Sequence, residues 1–184
     1  LVGSEMCIRD RDGSIYIAGD ANSSVDGQEY LGSSDAFISK LSPNGVKLWT
    51  KQIGTSNVDQ ASGLASGSDG SIYITGYTEG SINGAATTGF SDAFLMKLSS
   101  EGTQLWKAQI GSNSWDSAKA ISIGSDDAVY MVGDANASVD GQPYLGGSDI
   151  FLMKFSSNGN MIWTQQIGTP NNDNIHSVSL ERNG

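Results

Sequence analysis

The side chains with the clearest potential for chemistry are oxygen-bearing residues in two similar segments of the chain. They alternate with other residues as Asp20, Asn22, Ser24 and Asp26, and again as Asp134, Asn136, Ser138 and Asp140. Alternating oxygen ligands open known calcium-binding loops, so calcium is the one cofactor that this sequence suggests. However, Val25 and Val139 stand where such a loop has glycine, and no bidentate glutamate follows. A polar loop closed by its own hydrogen bonds is therefore the alternative.

The same segments carry aromatic residues that could bind a ligand. Tyr30 and Tyr144 could each stack on a sugar ring or on a small molecule. Three tryptophans, Trp49, Trp106 and Trp163, could do the same. Their regular place within predicted strands instead favours a buried position between sheets.

No arrangement of residues typical of catalysis is visible. His176 is the single histidine, and no nucleophile pattern, HExxH, CxxC or phosphate-binding loop accompanies it. Recurring aspartates and lysines stand directly before or within predicted strands, which favours structural roles in turns and ion pairs. These residues are Asp35, Asp92, Asp149, Lys40, Lys97 and Lys154. The sequence therefore predicts a protein that is not an enzyme.

Composition limits the partners and the class of fold. The formal net charge of -10 disfavours nucleic acid and anionic membrane surfaces, because like charges repel. No apolar run approaches the roughly 20 residues that cross a bilayer. The 24 glycines and only three prolines are typical of many short strands joined by tight turns.

Three copies of one motif run through the chain at a constant interval of 57 residues, from Asp12 to Asp69 to Asp126. DGSIYI occurs twice and has a degenerate copy, DDAVYM. SDAF recurs once exactly and once as SDIF, and QIG begins three residues after each of Trp49, Trp106 and Trp163. A period of this length indicates a repeat architecture.

Each repeat contains four strand-like segments. In the middle repeat they are residues 59–66, 71–77, 92–99 and 103–110, which alternate with period two between turn-forming residues. Four strands joined by tight turns form one small antiparallel sheet, and radial stacking of such sheets gives a β-propeller. We therefore predict an all-β fold of about three four-stranded antiparallel blades, with a β-solenoid as the alternative. The strand rich in small residues should lie innermost and the tryptophan strand outermost.

The boundaries follow from the repeat. Residues 1–11 match translated sequencing-adapter DNA, and we expect them to be foreign to the native protein. Residues 12–184 are then the propeller repeats: a partial blade (12–54), two blades (55–111 and 112–168) and the first strand of a further blade (169–184). Because natural propellers have more blades, we expect the parent protein to supply the others.

The pattern DG-x-IY-x-x-G, SDAF-x-x-K and G-x-x-x-W-x-x-QIG resembles the SBBP-type β-propeller repeat. This resemblance implies a propeller fold and a secreted or cell-surface bacterial setting, with no shared catalytic residues. We therefore expect a non-catalytic structural or interaction scaffold whose partner is a protein or a glycan. Two alternatives remain open. One is a lectin-like propeller that binds a glycan or small ligand; the other is part of an enzyme whose site lies in other blades.

Overall fold

The described part of the chain is built from strands. A computed structural model describes residues 6–9, 12–82, 84 and 87–180. Its strands are β1 (Met6–Arg9), β2 (Ile15–Ala21), β3 (Asp35–Leu41), β4 (Lys47–Ile53), β5 (Asp59–Ser66), β6 (Ile72–Thr78), β7 (Asp92–Leu98), β8 (Gln104–Ile110), β9 (Asp116–Ile123), β10 (Val129–Ala135), β11 (Asp149–Phe155) and β12 (Met161–Ile167). Within those residues there is no helix that could cross a membrane.

The strands form three sheets of four, each with its strands in chain order. Blade one contains β1–β4, blade two β5–β8 and blade three β9–β12. Every neighbouring pair within a blade is antiparallel. The predicted all-β fold of four-stranded blades is confirmed.

The turn between β5 and β6, the first two strands of blade two, shows the structural role of the repeated DG motif. Asp69 accepts a hydrogen bond from the Ser71 backbone N–H at 3.0 Å, and Gly70 takes a positive φ of 78°. The third repeat has Asp127 in place of that glycine, at φ 57°. Aspartate tolerates this left-handed conformation better than most residues, so the turn survives the substitution.

The small-residue strands lie where successive blades meet most closely. β5 contacts β1 of the preceding blade and β9 of the following one. A Cβ on Gly63 would stand 2.6 Å from the Thr75 side chain and 3.2 Å from that of Ile121 in blade three. Larger residues cannot fit here, which confirms that this strand is the innermost of its blade.

The two ends of the repeat region differ from the predicted boundaries. β1 lies inside residues 1–11 and completes blade one by pairing with β2. Backbone pairing makes few demands on side-chain identity, so the foreign origin of this segment stays a prediction. At the other end, residues 173–180 form no strand. In blades two and three the corresponding segments, β5 and β9, are strands that pair with β6 and β10.

Tryptophans link each blade to the next across what we call a seam, the contact zone between neighbouring blades. Trp49 donates its indole N–H to the Ser100 carbonyl of blade two at 3.2 Å, and Trp106 donates to the Ser157 carbonyl of blade three at 3.0 Å. Both rings are half-buried, and Trp163 is 36% exposed. The predicted position between sheets holds for Trp49 and Trp106, which are only half-buried because the outer strand lies at the edge of its sheet, and it is wrong for the exposed Trp163.

Candidate functional site

The recurring SDAF aspartates organise the loops around them. Asp35 is fully buried and accepts hydrogen bonds from the Leu31 backbone N–H at 2.7 Å and the Gln52 amide at 3.0 Å. Its other oxygen lies against Gly54, where a Cβ would be 2.4 Å away. The same contacts recur in the other two blades, around Asp92 with Gln109 and Gly111, and around Asp149 with Gln166 and Gly168. These aspartates are structural, and they explain why QIG keeps its glutamine and its glycine.

The recurring lysines are paired with the aspartates of the DG turns. Lys97 lies 3.0 Å from Asp69 and 5.2 Å from the centre of the Tyr73 ring. Burial alone would raise the pKa of the Asp69 carboxyl, but hydrogen bonds from Ser71 and Lys97 outweigh it and lower the pKa to about 2. Equivalent pairs join Lys40 to Asp12 and Lys154 to Asp126. The lysines therefore serve as charged structural partners within each blade.

A second set of aspartates is buried where each blade begins. Asp116 is 1% exposed and accepts hydrogen bonds from the backbone N–H and the hydroxyl of Ser112. Burial raises its pKa to about 6, and the nearby carboxylate of Asp92 adds to the rise. Burial likewise raises the pKa of Asp59, with a smaller contribution from Asp35. Each seam thus holds two buried carboxyl groups, and the one that begins the following blade has its pKa raised.

The first candidate calcium segment is folded onto its own blade. Asp26 forms an ion pair with Lys47 and accepts a hydrogen bond from the Thr50 hydroxyl. Ser24 donates its hydroxyl to the Gln28 carbonyl at 2.6 Å. Asn22 is exposed, whereas Asp20 is half-buried at the end of β2, where burial raises its pKa.

The third-repeat segment keeps the same turn but has different partners. Ser138 bonds to the Gln142 carbonyl, and Asp134 accepts a hydrogen bond from the Ile175 N–H and lies 3.5 Å from Lys119. Asn136 and Asp140 are exposed. Among the described residues no group of three or more acidic, histidine or cysteine side chains is arranged to hold a metal. Calcium binding stays a prediction.

These segments also fill the space between blades. Val139 is 1% exposed and packs into a core that includes Ile110 of blade two, and Ile82 occupies the equivalent place in the core shared by blades one and two. The glutamine of QIG fixes each segment by hydrogen bonds to its backbone. In blade three, Gln166 accepts the Val139 N–H at 3.0 Å and donates to the Ala137 carbonyl at 3.1 Å. Sequence reasoning missed this role of the glutamines, although their exact recurrence was the available signal.

The predicted ligand-binding tyrosines lie on the surface. Tyr30 is 37% exposed and Tyr144 is 40% exposed. The hydroxyl of Tyr144 donates to the Gly147 carbonyl, which ties the ring to its own loop. Both rings belong to what we call the loop face, the end of the blades formed by the described residues of six segments, 20–35, 53–59, 77–92, 110–116, 134–149 and 167–175.

An exposed aromatic pair on the loop face was missed by sequence reasoning. Phe90 is 64% exposed and Trp115 is 48% exposed. Their rings stack across the second seam, with centroids 5.4 Å apart and an angle of 17° between the planes. Ser33 and Val58 occupy the equivalent positions at the first seam. Because neither aromatic residue belongs to the repeat, the periodic pattern could not reveal the pair.

Comparisons with known proteins agree with this architecture. A family model described as "SBBP: Beta-propeller repeat" matches residues 48–83, from the outer strand of blade one to the loop after β6. The chain is 31% identical over 190 residues to "Regulatory protein FlaEY" of Caulobacter vibrioides, covering 91% of this chain and 20% of that protein. It is 26% identical over 116 residues to "Uncharacterized WD repeat-containing protein L264" of Acanthamoeba polyphaga mimivirus, covering 57% of this chain and 8% of that protein.

The chain therefore spans a fifth or less of the length of these two relatives. The matched family region, the three four-stranded blades and the motifs that join them describe the same repeat. Residues 48–83 therefore match the SBBP β-propeller repeat, and the 57-residue period carries the same four-stranded pattern through the three blades.

Proposed function

We propose that this chain is a non-catalytic interaction module of a larger secreted or cell-surface bacterial protein. Its blades hold the loop face in a fixed arrangement, and that face contacts a macromolecular partner. The secreted or surface setting rests on the family resemblance. The name of one relative, a regulatory protein, is compatible with a role in binding.

One observation carries the proposal: the repeated polar groups are engaged in holding the blades together. The buried aspartates bond to backbone N–H groups and glutamines, and Lys97 and Lys154 are paired with aspartates. Reactive roles would require these groups to be available to a substrate. The exposed aromatic side chains of the loop face, in contrast, are available to a partner.

A lectin-like function is the second candidate, favoured by the exposure of Tyr30 and Tyr144. Aromatic side chains at the surface can stack on sugar rings, and these two stand at equivalent positions of blades one and three. A third candidate is a contribution to an enzyme whose site lies in other blades. No observation in this chain favours it.

Two parallel screens test the proposal. The immobilised chain is exposed to a phage library of random peptides and, separately, to an array of oligosaccharides. An interaction module should enrich peptides that also bind when synthesised free of the phage. Binding of oligosaccharides alone, weakened by Tyr144→Ala, would replace the proposal with the lectin-like function. The matched control is Leu48→Ala on the outer strand, which should change neither result.

A further inference from the structure

The Phe90–Trp115 pair is a large apolar surface exposed to solvent. Side chains of this size usually bury most of their area, and an exposed aromatic patch marks a place of contact with another molecule. Tryptophan and other aromatic residues are also enriched among the residues that dominate binding energy at protein interfaces. The stacked rings thus present a preformed anchor for a partner.

The backbone around the pair is held firmly. Phe90 donates its N–H to the Ser114 carbonyl at 2.9 Å, and Ser91 and Trp115 form a parallel bridge between blades two and three. The Trp115 carbonyl accepts the Asn136 N–H at 3.0 Å. Because three segments meet here, a partner would lose little free energy in ordering this surface.

The charge of the loop face selects the kind of partner. The six segments of this face contain no lysine or arginine, although they contain 12 of the 20 acidic residues: Asp20, Asp26, Glu29, Asp35, Asp59, Glu79, Asp92, Asp116, Asp134, Asp140, Asp149 and Asp173. The exposed carboxylates among them therefore give the face a negative potential. Such a potential attracts a cationic partner and repels anionic ones.

One carboxylate of the second seam is available for a direct ion pair. Asp140 is exposed and forms no hydrogen bond or ion pair with any described residue. Its counterpart Asp26 is neutralised by Lys47, but blade three has Met161 at that lysine position. Among the described residues, Asp140 thus lacks the cationic partner that its counterpart has in blade one.

A cavity lies beside this carboxylate. It has a volume of about 390 Å³ between blades two and three, and it is lined by Asp140, Thr88 and Asp92 together with apolar side chains. Among these are Ala108, Ile110 and Met161. Thr88 and Asp92 flank Phe90 in the chain, so the cavity and the aromatic pair belong to the same part of the seam. A long side chain with an apolar stem and a cationic end matches these walls.

We propose that the second seam is the docking surface for a lysine- or arginine-rich polypeptide segment. A cation stacks on the exposed face of Trp115, and a second basic side chain reaches Asp140 through the cavity. This inference rests on the proposed function and adds to it the place of binding and the chemistry of the partner. The first contact uses the preference of cations for aromatic rings, and the second uses the attraction of a cation to a carboxylate.

Fluorescence anisotropy of labelled synthetic peptides tests the proposal directly. The probe is a 12-residue peptide of four Lys-Leu-Gly units, and its counterpart has Glu-Leu-Gly units. The variants Phe90→Ser and Trp115→Val introduce the residues of the first seam, and Asp140→Asn removes the charge while keeping a residue that tolerates positive φ. Leu48→Ala, at an exposed position of β4 outside the loop face, is the control.

The lysine peptide should bind the parent chain, and its affinity should fall as salt is raised. Trp115→Val should weaken binding by about tenfold, as expected for loss of one cation–aromatic contact and the apolar surface beside it. Asp140→Asn should weaken binding by severalfold, and Leu48→Ala should have no effect. Equal binding of the glutamate peptide, or no change in Trp115→Val, would overturn the proposal.

Failure of this docking proposal can be told apart from failure of the proposed function. If the phage library yields neutral or acidic peptides whose binding ignores Trp115, the interaction module stands and the second seam is the wrong place. If only oligosaccharides bind, both proposals fail together.

Discussion

The two seams of this molecule are built alike on the inside and differ at the surface. At both, an indole N–H reaches a carbonyl of the next blade, and a buried aspartate stands near the aspartate that begins that blade. At the loop face the first seam has Ser33 and Val58, whereas the second has Phe90 and Trp115. Residues that recur in every repeat thus join the blades, whereas residues that differ between repeats determine the outer surface of each seam.

The tryptophans provide the largest expected effect. Trp106 packs against Gly159 and bonds to Ser157 of blade three, but no described residue from a following blade covers Trp163. We expect Trp106→Ala to lower the free energy of unfolding by about 3 kcal/mol, since it removes both packing and the hydrogen bond. Trp163→Ala should cost less than about 1 kcal/mol.

Urea denaturation followed by circular dichroism compares these two variants with the parent chain. Equal losses for both would mean that the contact within each blade, rather than the contact across the seam, accounts for the effect of tryptophan. The T-shaped packing of Trp106 on Tyr73 is present in blade three as well, between Trp163 and Tyr130, so it cancels in the comparison.

The buried carboxyl groups give an effect that depends on pH. Because the pKa of Asp116 is raised to about 6 in the folded chain, the folded state holds its proton more tightly than the unfolded state between the ordinary value of 3.8 and 6. Stability from this group is therefore full below about pH 4 and is lost as pH rises through 6, by up to about 3 kcal/mol.

Asp116→Asn should remove this part of the pH dependence, since the amide oxygen can still accept the Ser112 hydrogen bonds without carrying a charge. The measurement is the free energy of unfolding at several pH values from 4.5 to 7.5 for both chains. Parallel pH profiles for the variant and the parent would contradict the raised pKa. Asp69, whose pKa is lowered, acts at lower pH and does not enter this window.

The smallest expected effect concerns the surface difference itself. Replacing Phe90 by Ser and Trp115 by Val together should change the free energy of unfolding by no more than about 0.5 kcal/mol, because exposed side chains away from the core contribute little. A thermal melt of the double variant gives this value. A large loss would show that the aromatic pair holds the seam together and would remove the contrast between the two seams.

The repeat determined how much could be predicted from sequence. The four strands per blade, the innermost small-residue strand and the structural aspartates followed from residues such as Asp92 and Gly63, which recur or alternate in a recognisable way. The partners of Gln109 could not be predicted, because they lie in a loop whose path depends on packing against a neighbouring blade. Phe90 and Trp115 are 25 positions apart and belong to different blades, so only the fold brings them together.

The bonds from Trp49 and Trp106 to the next blade end on main-chain carbonyls, and this has a consequence for inheritance. Every amino acid supplies that carbonyl, so a blade does not need a particular side chain there to be accepted by its neighbour. A gene that gains or loses one unit of 57 codons encodes blades whose joining bonds are already complete. Unequal recombination between repeats can therefore change the number of blades in a single step, while residues such as Trp115 diverge independently in each copy.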